Sequence, residues 1–122
     1  MHLTVSDLIS KVRELAAASP DCRYRSTNGS SSGCCNNRGE CTNGTVGCII
    51  GQAAAALGYD WGDEPSREGV HLFVNRVFRH TPRPQTYWLD LVQGQQDLGK
   101  TWGDAVQYAD EQVSRYKLCD AV

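Results

Sequence analysis

"GCCNNRGECTNGTVGCIIGQAAAALG", residues 33–58, contains the point on which the fold turns. Up to Gly47 it is turn chemistry: Asn, Gly and Thr interleaved with Cys34, Cys35 and Cys41. From Cys48 onward it is a helical run, "CIIGQAAAAL", stopped by a glycine. The spacing predicts a helix beginning near Val46 to Cys48, with Gly58 in the position after the last apolar residue that favours glycine. Its alanines permit close approach of a neighbouring helix. The stretch in front of it, from about residue 22 to 47, breaks every helical period, and "STNGSSSGCCNN" is loop composition. Short extended runs at 22–26 and 39–43, with a turn at Asn43-Gly44, predict a two-stranded hairpin with a floppy tip around 27–38. An isolated hairpin is marginal in water and has to lean on helices.

Helical periodicity extends outward in both directions. Val5, Leu8, Ile9, Val12, Leu15 and Ala16 share one face of a first helix. Thr4-x-x-Asp7 makes a capping-box-like start, and Pro20 ends it. A third helix over about 66–79 groups Val70, Phe73, Val74, Val77 and Phe78. A fourth, roughly 85–98, groups Trp88, Leu91, Val92 and Leu98 and stops at Gly99. The fifth opens at Thr101-x-x-Asp104 and carries Trp102, Ala105, Val106, Ala109, Val113 and Tyr116 on one side. These patterns predict a mostly α fold: one domain, residues 1–122, of about five helices with a small β-hairpin and a Cys-rich loop between helices one and two. The expected core is Leu8, Ile9, Val12, Ile49, Ile50, Phe73, Val77, Leu91, Val92, Trp102 and Val106.

Composition narrows the class. The chain has 122 residues, 40% hydrophobic and 21% charged, an ordinary globular balance. It has no apolar run near the roughly 20 residues of a membrane span. The first residues lack the pattern of a signal peptide, so a cytoplasmic location is the expectation. A formal charge of −2 argues against a protein that coats nucleic acid. The charge is uneven, however: Arg67, Arg76, Arg79 and Arg83 cluster against Glu68, while the C-terminal third is acidic. Such a stretch is either a solvated helix face or a partner site.

The cysteines leave several readings open. A reducing cytosol disfavours disulfides, and clustering of Cys22, Cys34, Cys35, Cys41 and Cys48 suits a local role. Structural zinc is signalled by paired C-x2–4-C units, which are absent. If zinc is present, Cys22, Cys35, Cys41 and Cys48 form the best set. Cys48, at a helix start, is placed where peptide N–H groups would favour a thiolate. A thiol enzyme would need His71 or His80 as base, and neither lies in a recognisable motif. Small buried cysteines are the plainer reading, with Cys41 and Cys48 the structural pair, brought together by the Asn43-Gly44 turn as packed thiols. Cys34 and Cys35 are expected exposed at the tip. No Walker loop, G-x-G-x-x-G, H-E-x-x-H or G-x-S-x-G occurs.

"ECTNGTVGCIIGQAAAALG" followed by "WLDLVQGQQDLGKTWGDAVQYAD" resembles a family of small proteins encoded by actinobacteriophages and their actinobacterial hosts. The likeness runs from Val5 to about Asp110 and rests on Tyr24, Cys41, Cys48, Gly51, Gln52, Leu57, Gly58, Trp88, Gln96, Gly99, Lys100, Trp102 and Ala105. Cys22, Cys34, Cys35 and Cys119 depart from it. The resemblance implies a phage accessory protein working in a host cytosol and carries no established activity. The expectation is therefore a non-enzymatic protein that binds and modulates a host protein, with no catalytic residues and no cofactor. Arg67, Arg76, Arg79, Tyr59 and Trp61 are its candidate partner-binding residues, since Arg and aromatics are enriched in interface hot spots. The alternatives are a DNA-binding transcriptional regulator using helix 66–79, suggested by the helix-turn-helix-like "QAAAALGYD", and a zinc-stabilised or thiol-reactive domain.

Overall fold

The computed structural model describes residues 4–25, 34–35, 40–45, 47–59, 68–78 and 83–120. The protein is mostly helical: α1 (Val5–Ala18), α2 (Ile49–Ala56), α3 (Val70–Val77), α4 (Arg83–Asp97) and α5 (Trp102–Asp120). Among the described residues there are also four two-residue strands: β1 (Tyr24–Arg25), β2 (Cys34–Cys35), β3 (Glu40–Cys41) and β4 (Glu68–Gly69). β1 pairs antiparallel with β3, Tyr24 opposite Cys41, and β2 pairs antiparallel with β4, Cys34 opposite Gly69.

Local chemistry accounts for the helix ends. Thr4 Oγ1 accepts from the Asp7 amide at 3.1 Å, and Thr101 Oγ1 from the Asp104 amide at 3.2 Å. Each satisfies one of the amides that a helix start leaves unpaired. α2 and α4 end alike, on glycines with φ of 100° and 92° at Gly58 and Gly99. The amides of Tyr59 and Lys100 return to the carbonyls of Ala54 and Gln95. Those of Gly58 and Gly99 return to Ala55 and Gln96, closing a paired-bond cap that needs a left-handed residue.

α4 and α5 form the most extensive interface, α1 lies against α2, and α3 lies against α4. A core of Val5, Leu8, Val12, Ile49, Ile50, Phe73, Val74, Trp88, Leu89, Val92, Trp102, Ala105 and Ala109 is buried between them. Ile9, Val77, Leu91 and Val106, expected in it, are only partly buried at its margin. The largest departure is α4. Its buried face is Trp88, Leu89, Val92, Gln93 and Gln96, whereas Leu98 is 67% exposed. Two glutamines stand on this face in place of Leu91 and Leu98, held by the amide group of Gln96 and the amide nitrogen of Gln93. Gln96 Oε1 accepts the Ile49 amide at 2.7 Å, and the amide nitrogens of Gln93 and Gln96 donate to Asp97.

The start of α5 is docked on the chain that leaves α1. The amides of Trp102 and Gly103 donate to the carbonyls of Cys22 and Pro20, both at 2.9 Å. A Cβ on Gly103 would meet the Pro20 oxygen at 3.0 Å, so any other residue would push this corner apart by a few tenths of an ångström. Arg23 caps the other side of the same corner, its guanidinium donating to the Gly99 carbonyl.

Two expectations about residues 27–38 and 66–79 are corrected. Cys34 and Cys35 are not a free tip: their backbone is paired to Gly69 and Glu68. For the same reason the third helix does not occupy 66–79. Glu68 and Gly69 are extended in β4, and α3 has eight residues.

Candidate functional site

The connection leaving α2 delivers Tyr59 onto α3. As the second residue past the helix cap, Tyr59 is held by its amide bond to Ala54. Its ring meets Phe73 edge-on, centroids 5.3 Å apart at 84°. Phe73 is buried and itself packs edge-on against Phe78 at 5.9 Å. One turn along α3, Arg76 is exposed. Its Nη2 donates to Tyr59 Oη at 3.3 Å, and its Cζ lies 5.8 Å from the Phe73 ring centroid. A half-buried phenol and an exposed guanidinium are thus fixed as one surface on a buried aromatic base. Cation–π attraction and the shared hydrogen bond both lower the rotamer freedom of Arg76. The structure brings these two of the five candidate partner-binding residues together. Arg67, Trp61 and Arg79 lie outside the described residues.

Chemically, the pair presents a guanidinium and the polar edge of an aromatic. That combination suits a carboxylate or an aromatic side chain on a protein partner.

The cysteines occupy a separate, internal position. Cys22, Cys41 and Cys48 are all buried and unlinked. Cys48 has no exposed surface and is the N-cap of α2, its Sγ accepting the Gly51 amide at 3.2 Å. A thiol enclosed in this way acts as a cap rather than as a presented nucleophile. His80 and the side chain of His71, its candidate bases, lie outside the described residues. Cys41 Sγ is 3.3 Å from the Gly47 carbonyl, to which its S–H donates. Gln52 Nε2 reaches the same sulfur at 3.4 Å, and also Gly47 O and Thr45 Oγ1, each at 2.8 Å. Burial pushes the Cys41 thiol up to about 12, reinforced by the charge and hydrogen bond of Cys22 and, last, by the charge of Cys48. The charges of Cys22 and Cys48 both bear on Cys41, that of Cys22 more strongly. Among the described residues no group of three or more His, Cys, Asp or Glu side chains could hold a metal ion. The side chains of Cys34, Cys35 and Cys119 lie outside the description.

One constellation escaped the sequence reading. Arg13 of α1 forms a bidentate pair with Asp110 of α5, at 3.0 and 2.6 Å. The guanidinium carbon lies 4.8 Å from the centroid of the Trp88 ring, whose Nε1 donates to the same carboxylate at 2.8 Å. Arg13, and after it the Trp88 hydrogen bond, hold the Asp110 carboxyl below the usual range, against a raising effect of burial. A cleft lined by Ile9, Arg13, Pro84, Gln85, Trp88 and Val113 lies beside it. Arg13 and Asp110 are far apart in sequence, and each looks like an ordinary surface charge there.

Among the described residues, no helix is long and apolar enough to cross a membrane. Comparison with known proteins gives no match, whether to a family model, a curated protein or a solved structure.

Proposed function

We propose that this protein is a non-enzymatic accessory protein that binds and modulates a host protein, of the kind actinobacteriophages encode, in the cytosol of an actinobacterial host. Its fold in full is a single domain of five helices, with a small hairpin carrying the Cys-rich loop between the first two. The observation that carries the reading is the Arg76–Tyr59 pair on Phe73: an exposed cation and an aromatic held in fixed geometry. Fixing side chains before contact removes part of the entropy cost of binding. Arg67, Trp61 and Arg79 extend the proposed surface by their nearness in sequence.

The test is affinity capture, after cross-linking in an actinobacterial host, with wild type beside Arg76→Ala and Tyr59→Phe. One host protein recovered by wild type and lost by Arg76→Ala, at unchanged melting temperature, is the expected outcome. Equal recovery by all three proteins would remove this surface from the proposal, and recovery of nothing would remove the proposal.

The rival reading, a DNA-binding regulator on helix 66–79, has less support. A recognition helix follows its partner after a turn of three or four residues. Here α3 has eight residues, follows a strand, and lies chiefly on α4. Binding of random duplex with steep salt dependence would favour that rival.

A further inference from the structure

We propose that Asn43 is a latent modification site: its side-chain amide is lost by cyclisation onto the Gly44 nitrogen, and the folded turn holds that reaction back. Asparagine before glycine is the dipeptide in which this chemistry is least hindered, because glycine has no Cβ to shield the attacking nitrogen. The sequence places that dipeptide in the turn after β3, where both residues are exposed. A Cβ built on Gly44 would meet nothing within 4 Å, so the turn is open to water. Hydrogen bonds nevertheless pin each reacting atom. The Gly44 amide donates to the Cys41 carbonyl at 2.9 Å. Asn43 Oδ1 accepts from the Thr45 amide at 3.1 Å and from the Thr45 hydroxyl, the local turn that an asparagine side chain favours. Asn43 Nδ2 donates to Ser19 Oγ at 3.1 Å, which ties the turn to the C-cap of α1.

The reaction is a hydrolysis taken in two steps. Hydroxide removes the Gly44 amide proton and the nitrogen attacks Asn43 Cγ. The bond from Cγ to Nδ2 then breaks, releasing ammonia and leaving a cyclic succinimide. Water adds at either ring carbonyl and opens it, giving aspartate or isoaspartate at position 43. Overall a water is consumed, an ammonia is released and nothing is oxidised. In the folded turn the first step is obstructed at its start, because the proton that must leave Gly44 is held on the Cys41 carbonyl. Donation from Thr45 polarises the carbon under attack, but it also fixes the side chain, as Ser19 does from the other end. Ring closure has to break these bonds, so its rate follows the fraction of molecules in which the turn is open. The isoaspartyl product carries an extra backbone carbon between positions 43 and 44. That carbon lies inside the turn closed by the Gly44–Cys41 and Cys41–Thr45 bonds and puts them out of register. Gln52, which donates to Thr45 Oγ1, then loses a fixed partner. A molecule that has opened here is marked irreversibly at the entrance to α2.

The test incubates reduced full-length protein at mildly alkaline pH, folded in buffer and unfolded in guanidinium chloride, and follows tryptic peptides by mass spectrometry. Asn43 is the sole asparagine of the peptide 39–67, while Asn28-Gly29, the same dipeptide, falls in the separate peptide 26–38. In guanidinium chloride both asparagines should convert at comparable rates. In the folded protein, conversion at Asn43 should be slower by about tenfold or more, the factor set by opening of the turn. Ser19→Ala releases one tether without altering the dipeptide, so it should speed conversion in the folded protein and leave the unfolded rate unchanged. Should that variant fail to fold, wild type alone decides. Conversion of Asn43 as fast in the folded protein as in the unfolded chain would overturn the proposal. So would an unfolded chain in which Asn28 converts and Asn43 does not.

Discussion

Between α4 and α5 the interface is filled by bulk: Trp88, Leu89 and Val92 from one helix, Trp102, Ala105 and Ala109 from the other, all buried. At the first turn of α2 the junction is made with polar atoms, buried at Gln96 and Cys48 and half-buried at Gln52. Gln96 holds the Ile49 amide, Cys48 the Gly51 amide, and Gln52 ties Gly47, Thr45 and Cys41 together. The first region gains stability in proportion to area removed from water and is indifferent to exact angles. The second gains little per bond but loses the whole desolvation penalty when a partner is removed. Bulk therefore sets how stable the protein is, and the polar junction sets where α2 starts.

Breaking the bulk side should do most damage. Trp102→Ala is expected to cost about 3–5 kcal/mol in urea unfolding, because the ring is fully buried. Its Nε1–H is buried with no partner among the described residues, so Trp102→Phe removes an unsatisfied donor as well as volume and should cost distinctly less. On the polar side, Gln96→Leu should cost about 1–3 kcal/mol by orphaning the Ile49 amide, although it adds apolar surface. If Gln96→Leu were neutral, the contrast between the two regions would fail.

Cys48 sharpens the contrast further. Cys48→Ala removes an N-cap and should cost about 0.5–2 kcal/mol, while Cys48→Ser keeps an acceptor for Gly51 and should cost less. An equal loss in both would mean that the sulfur packs rather than caps.

The Arg13–Asp110 pair gives the smallest effect. Both side chains are close to half exposed, 47% and 45%, so solvent screening limits the pair to about 0–1 kcal/mol. Asp110 has a folded-state pKa below its unfolded value. Its stabilisation is thus fully present above the unfolded value, near 3.9, and is lost as pH falls through the folded one. The stability difference between wild type and Asp110→Asn should accordingly be flat near neutrality and shrink toward zero in acid. A difference that grows on acidification would invert the sign assigned to this pair.

What could be read in the sequence follows the same division. Helical periodicity and cap chemistry announced a mostly helical chain, because Val5, Leu8 and Val12, or Thr101 before Asp104, act within a turn of one another. The inward face of α4 was misread because periodicity counts glutamine as polar. Gln93 and Gln96 are buried only because Ile49 and Asp97 answer them, a condition fixed by distant chain. The pairing of Glu68 with Cys35 shortened α3 in the same way, and no local propensity encodes it. Of the candidate site, Tyr59 and Arg76 were visible as residue types, but their shared hydrogen bond was not. Arg13 and Asp110 had no signal, since a surface charge looks alike whether or not it has a partner.

The docking of Gly103 and Trp102 on the carbonyls of Pro20 and Cys22 has a consequence for the order in which the chain can fold. α1, α2 and the α4–α5 pair each rest on contacts that short stretches can make early. The corner at Pro20 joins two points with about two-thirds of the chain between them, and closing so long a loop carries an entropic cost before any contact rewards it. It should therefore form late. A side chain at position 103 would act mainly on the rate of leaving the native state, with little change in the rate of reaching it.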